Sequence, residues 1–221
     1  MINRFQLNAM KSFIFFFILL ISISSLQAQP LKDSARILKL HAPEIFKAQF
    51  KTTQGDFIIE VYRQWSPLAA DRLFQLITTG YFNNNMAFRA TAKYVQFGIT
   101  DNKAFNFFWD RHTIADEPVL QSNRDSIVSF ATGGKNNRSA QIFINMKDNQ
   151  RLDTLSFSGV TGFPPVGKVI IGMDALRKFN TQYGDEITFK YQDSIYSKGN
   201  DYLRRNFPGL DKIIEAVIIK E

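Results

Sequence analysis

Three polar residues stand out by the company they keep. Arg89 follows Phe88, Gln96 lies inside Tyr94-Val95-Gln96-Phe97-Gly98, and Gln141 opens the apolar run to Asn145. A loop rich in glycine and asparagine, Thr132 to Arg138, leads into that run directly after Phe130-Ala131. A guanidinium and two amides set among aromatic rings donate and accept hydrogen bonds without being nucleophiles or proton shuttles. That inventory suits a protein that grips and twists a peptide rather than one that attacks it.

Other chemistries lack their parts. His41 and His112 are the only histidines, and neither has metal-ligand spacing to another histidine or to paired carboxylates. The chain has no cysteine, hence no thiol nucleophile and no disulfide, and no Gly-x-Ser-x-Gly elbow. Gly133-Gly134-Lys135 lacks the spacing of a phosphate-binding loop. A hydrolase, a metalloenzyme and a nucleotide enzyme are all poorly supported.

The elements that must position these residues are mostly strands. Alternation from Lys47 to Tyr62 around Gln54-Gly55 predicts a β-hairpin, with Phe57, Ile59 and Val61 on one face. Ser66-Pro67 opens a helix, serine capping and proline at the first position, and Gly80 ends it. Short strands are expected at Phe88–Arg89, Tyr94–Phe97, Ile127–Ala131, Gln141–Asn145 and Lys168–Ile171. A second helix is expected from its cap Asp174 to Asn180, and a last strand, Ala216–Lys220, returns to the first hairpin. Many short strands with two separated helices fit a closed barrel or an open sandwich, and periodicity alone does not choose between them.

The N-terminus reads differently from the rest. Arg4 and Lys11 precede an apolar run from Phe13 to Ile23, broken only by Ser22, and small residues end it at Ala28. This is the pattern of a secretory signal peptide cleaved after Ala28. Its removal lowers the net charge from +7 to +5, spread without runs of Lys or Arg. Such a surface is solvated rather than a nucleic-acid footprint. Residues 29–46 form a lead-in, and residues 47–221, rich in phenylalanine, form one domain with no internal repeat.

In order and spacing, a series of pieces resembles the cyclophilin-type peptidyl-prolyl cis-trans isomerases, in particular those exported by bacteria. The pieces are Gly80-Tyr81-Phe82, Phe88-Arg89, Gln96-Phe97-Gly98-Ile99, Asp116-Glu117-Pro118-Val119, Ser129-Phe130-Ala131, Ala140-Gln141-Ile142-Phe143-Ile144-Asn145, Leu152-Asp153, Gly167-Lys168-Val169 and Gly172-Met173-Asp174. Gly199-Asn200, Tyr202-Leu203, Phe207-Pro208 and Leu210-Asp211 continue it. The resemblance implies a mainly β, eight-stranded antiparallel barrel capped by two α-helices. It also implies an isomerase that needs no cofactor or metal. Its partners would be proline-containing peptides and unfolded exported proteins, met in the periplasm or after secretion by a monomer that touches neither nucleic acid nor, once cleaved, the membrane.

Carried over to this chain, Arg89 would be the catalytic guanidinium and Gln96 its neighbour. Phe143 and Leu152, with Tyr94 or Val95, would form the proline pocket. Ala131, Thr132 and Gln141 would meet the substrate backbone, and Phe163 would stand on the pocket wall. Without the resemblance, Arg89 reads as an ordinary strand arginine and the glutamines as partners for buried backbone groups. Three departures matter. The Arg89–Gln96 spacing is one residue short of the common family spacing, a change that flips side chains unless a bulge or tighter turn at Thr91-Ala92-Lys93 absorbs it. Thr132 replaces the usual asparagine, and Arg151 replaces an apolar residue that often closes the pocket. These departures motivate an alternative, a proline-peptide binding module or chaperone with weak or no turnover.

Overall fold

The computed structural model describes residues 34–219; the signal-peptide pattern and Lys220 lie outside them. Two compact units divide the chain at Leu38 and Lys39. The described part of the first is a single helical turn, Ser34–Ile37. The second carries everything that follows.

The hairpin forms as expected. Strands β1 (Ile45–Thr52) and β2 (Phe57–Tyr62) pair antiparallel, and alternate residues, among them Phe46, Ala48, Phe50, Phe57, Ile59 and Val61, are buried. Phe50 stacks on Phe57 at 4.9 Å between ring centroids, with Phe82 and Phe97 tilted against Phe50. Helix α1 (Pro67–Thr78) buries Ala69, Ala70, Leu73, Leu76 and Ile77. Its N-terminus differs from expectation: Ser66 makes no side-chain cap, and its hydroxyl donates to the Pro165 carbonyl at 3.0 Å. Glu117 accepts instead from the amides of Leu68 and Ala69 at 2.8 and 3.0 Å. A carboxylate from a distant loop thus satisfies the free N–H groups and favours the positive helix end.

The remaining sheet strands are β3 (Asn85–Met86), β4 (Arg89–Ala90), β5 (Tyr94–Phe97), β6 (Ile127–Phe130), β7 (Ile142–Asn145), β10 (Pro165–Ile171) and β11 (Lys212–Ile219), with β8 (Ser156–Phe157) and β9 (Val160–Thr161) forming a separate hairpin. The main sheet runs β3-β11-β1-β2-β10-β6-β7-β5-β4. Its two end strands are consecutive in the chain and separated only by Ala87 and Phe88, so the antiparallel sheet curls back on itself. Counting β3 and β4 as one interrupted strand turns the nine strands into the expected eight. The cyclophilin-like, mainly β architecture is therefore borne out. The last strand does pair with β1, and it starts earlier than expected because Ile213 is buried beside the charged Asp211 and Lys212.

Helices are more numerous than the two expected. Helix α2 (Lys103–Asp110) is capped by Asn102, whose side chain accepts from the Phe105 amide. It buries Phe105 and Trp109 while Phe107 faces solvent. Helix α3 (Met173–Arg177) replaces the expected Asp174–Asn180 helix, and its cap is Gly172 at φ +87° rather than Asp174. A Cβ at Gly172 would collide with the Asp56 carbonyl and Phe57 Cα, which reserves the position for glycine. Helices α4 (Glu186–Lys190), α5 (Gln192–Lys198) and α6 (Asn200–Asn206) follow in succession. They bury Ile187, Ile195 and Leu203 against Met86, Phe88, Ile99, Phe207 and Leu210. This second core seats a helical segment beside the β3–β4 turn-over, next to Arg89.

Candidate active site

The shortened spacing between Arg89 and Gln96 is absorbed by a tight turn. Thr91 donates its amide to the Tyr94 carbonyl at 2.8 Å, and its hydroxyl accepts from the amides of Lys93 and Tyr94 at 3.0 and 2.9 Å. With no residue to spare, Arg89 and Gln96 become direct partners across the β4–β5 ladder. Opposed residues of an antiparallel pair share a face, so both side chains point into the same groove. Gln96 in turn pairs with Phe143 across β5–β7, which brings Phe143 to that face as well.

Side-chain contacts follow this register. An Nη1 of Arg89 donates to Oε1 of Gln96 at 3.1 Å, and Nε2 of Gln96 donates to Oε1 of Gln141 at 3.0 Å. Gln141 donates onward to Oε1 of Gln192 at 3.2 Å and to the Tyr196 hydroxyl at 3.1 Å. Burial pushes the Tyr196 phenol up to about 12, so it stays protonated at neutral pH. Burial likewise raises the Asp110 carboxyl at the far end of this chain of contacts, against hydrogen bonds from Ser139 and Tyr196.

Beside Arg89 lies an apolar pocket. Tyr94, Phe143 and Leu152 are its buried members, with Ala131, Leu155 and Phe163 packed against them. Edge-to-face contacts join Phe143 to Tyr94 at 5.6 Å and to Phe163 at 5.7 Å. The Phe163 amide donates to the Leu152 carbonyl at 3.0 Å, which fixes the register that the intervening loop leaves ambiguous in the sequence. A carboxylate anchors the segment that carries Leu152. Asp153 accepts from Oγ of Ser122 at 2.6 Å and from the amide and side chain of Asn123 at 2.8 and 2.9 Å. Burial pushes the Asp153 carboxyl up, but these hydrogen bonds outweigh it and leave the group below its usual range.

Most of the residues singled out in the sequence meet in one groove of about 760 Å³: Arg89, Tyr94, Gln96, Ala131, Thr132, Gln141, Phe143, Leu152 and Phe163 all line it. Val95 does not. It alternates away from Tyr94 and Gln96, pairs with Ala90 and Ile144, and is 1% exposed in the barrel interior. Of the two residues offered for that wall, Tyr94 is the one that faces the groove. The Thr132 hydroxyl is occupied locally, donating to the Gly134 carbonyl at 2.6 Å. Arg151 stays on the rim, where Nη2 donates to the Tyr94 hydroxyl at 3.1 Å. Neither histidine lines the groove.

Asp110, Thr113, Leu155 and Phe157 line the groove without having been singled out in the sequence, and so do Thr188, Phe189, Gln192 and Tyr196 from α4 and α5. Asp185, just before α4 and off the groove lining, accepts from Nε of Arg89 at 2.6 Å. The Arg89 guanidinium lies 4.6 Å from the Tyr94 ring centroid and 5.7 Å from that of Phe189. The α4 and α5 residues sit about a hundred positions after Arg89, in helices of five to seven residues, and no local motif announces them. Chemically, the groove offers a guanidinium held at Nε and Nη1, a row of amides, and an apolar pocket. It is suited to binding and polarising an amide.

The family described as cyclophilin type peptidyl-prolyl cis-trans isomerase/CLD matches residues 47–199. Peptidyl-prolyl cis-trans isomerase B of Escherichia coli K12 is 24% identical over 178 residues, covering 78% of this chain and 98% of that protein. A peptidyl-prolyl cis-trans isomerase-like 3 of Rhizopus delemar is 30% identical over 135 residues, covering 56% of this chain and 75% of that one. Among solved structures, a cyclophilin type isomerase of Cryptosporidium parvum crystallised in the presence of the dipeptide Ala-Pro superposes with a TM-score of 0.56 at 18% identity. That superposition covers 79% of this chain and 99% of that one.

Proposed function

Because the chain belongs to the family of cyclophilin-type peptidyl-prolyl cis-trans isomerases, we propose that it accelerates rotation about X-Pro bonds by the pull of Arg89 on the prolyl nitrogen. The barrier to this rotation, ~18–20 kcal/mol for an ordinary amide, comes from resonance that uses the nitrogen lone pair. In the twisted state that lone pair is localised and accepts a hydrogen bond. In the planar state it does not. A guanidinium Nη–H aimed at the nitrogen therefore stabilises the transition state selectively, which raises turnover rather than mere affinity. The proline ring fills the pocket of Tyr94, Phe143, Leu152 and Phe163, and Gln96 and Gln141 hold the flanking backbone.

The observation that carries this reading is the direct Arg89–Gln96 pairing beside the pocket. It supports turnover over a binding module that has lost it, since Arg89 keeps its place in the groove despite the shortened spacing. The signal-peptide pattern of residues 1–28 supports export, with unfolded proteins of the periplasm as clients. A protease-coupled proline-peptide assay tests the proposal. Wild type is expected to accelerate isomerisation, and Arg89→Ala to lose about 10²–10³ in kcat/KM, the cost of removing one transition-state donor. Retained peptide binding with no acceleration by the wild type would favour the binding module.

A further inference from the structure

Arg89 is held on both sides of its strand, and only one side belongs to the sheet. On one side stands Gln96 of β5. On the other, Ala90 makes an isolated antiparallel bridge to Gly184. In an antiparallel register the residue before Ala90 faces the residue after Gly184, so Asp185 is set opposite Arg89 by the backbone. Gly184, at φ +52°, turns the chain there, and its amide donates to the Thr181 carbonyl at 3.1 Å.

Asp185 is also the cap residue of α4, a position where aspartate ordinarily accepts from the helix's own first amides. Here it makes no side-chain cap. Its carboxylate turns instead to Nε of Arg89 at 2.6 Å. Phe189, four residues on and therefore one helical turn above, covers a face of the same guanidinium while remaining 75% exposed itself. The guanidinium is thus pinned at Nε by Asp185, at Nη1 by Gln96, and between the Tyr94 and Phe189 rings. The Arg89 side chain is 17% exposed, against 50% for Asp185.

We infer that Asp185 is a positioning residue for the isomerase reaction, and that α4 with Phe189 is the second half of the clamp on Arg89. Resting on the function proposed above, this assigns a role to a segment outside the sheet. An arginine has several rotatable bonds, and freezing them before substrate arrives removes that cost from the transition state. With Nε and Nη1 both engaged, Nη2 is the guanidinium nitrogen left for the prolyl nitrogen. Asp185 does not touch the substrate in this arrangement, so its loss lowers kcat and leaves KM nearly unchanged. The competing effect is that a carboxylate beside the guanidinium offsets its charge and slows the reaction. The two effects predict opposite signs.

The test compares wild type, Arg89→Ala, Asp185→Ala and Asp185→Asn for kcat, KM and melting temperature. Asp185→Ala is expected to lower kcat on the order of tenfold, in line with the sensitivity of reactions to small misplacements, with KM unchanged. Asp185→Asn keeps a carbonyl acceptor for Nε and is expected to recover most of the rate. Melting should move little in either variant, because Asp185 itself is half exposed. Asp185→Ala with wild-type kcat, or faster than wild type, overturns the inference while leaving the role of Arg89 intact. A fall in kcat that merely tracks a lower melting temperature and is not rescued by asparagine overturns it too. An inactive wild type overturns both this inference and the proposed function.

Discussion

The two walls of the groove hold their polar groups by different means. On the sheet wall, Arg89, Gln96 and Phe143 are placed by consecutive ladder pairings, and the segment carrying Leu152 is anchored by Asp153 with three hydrogen bonds. On the helical wall, Phe189, Gln192 and Tyr196 ride on short helices, each anchored by one aliphatic residue in the second core. They reach the sheet wall through side-chain contacts at Arg89 and Gln141, with a single backbone bridge between Ala90 and Gly184 beside them. Backbone register is cooperative and costly to disturb, whereas single side-chain hydrogen bonds contribute about 1 kcal/mol each. The sheet wall should therefore carry stability and chemistry together, and the helical wall should tune the chemistry with little effect on stability.

Three substitutions sharpen or break that contrast. Phe143→Ala removes the centre of the pocket, and we expect a loss of about 3–5 kcal/mol in urea unfolding along with peptide binding; a loss below about 1 kcal/mol would mean that the sheet wall is no more rigid than the helical one. Asp153→Asn probes the same wall through pH. The carboxyl of Asp153 is held below its usual range, so it contributes stability that is present above about pH 4 and is lost as pH falls through its lowered value. The asparagine variant should show a shallower decline of stability in acid than wild type, and an unchanged decline would remove Asp153 as the anchor of the Leu152 segment. The smallest effect belongs to the helical wall. Tyr196→Phe removes one of two acceptors offered to Gln141 together with the hydrogen bond to Asp110, with an expected cost of about 1 kcal/mol and a change in kcat/KM within about threefold. A larger loss of stability would place Tyr196 in the structural core.

The same division governs what the sequence disclosed. Period-two alternation marks β1 and β2, and the runs around Arg89, Gln96 and Phe143 carry the family resemblance, so the sheet wall was legible almost residue by residue. Val95 was misplaced because its neighbour Tyr94 is equally apolar and only the pleat decides which of them faces the groove. The helical wall was not legible. Ile187, Ile195 and Leu203 are eight residues apart, one buried anchor for each helix, which is too sparse for an amphipathic signal. Helix α2 was hidden by aromatic residues on several of its faces, with Phe105 and Trp109 buried but Phe107 exposed. Asp185 depends on a bridge between Ala90 and Gly184 that no local pattern encodes.

The central claim is that Arg89 drives the isomerisation, and equilibrium exchange measured by NMR on a proline peptide tests it without a coupling protease. Unaided exchange takes tens to hundreds of seconds, so the peptide alone shows no cis–trans cross-peaks at a mixing time of about 0.1 s. With catalytic amounts of wild type, cross-peaks should appear; with Arg89→Ala, the peptide should still shift on binding while the cross-peaks vanish. Cross-peaks of equal strength with Arg89→Ala, or binding by the wild type without exchange, would contradict the account.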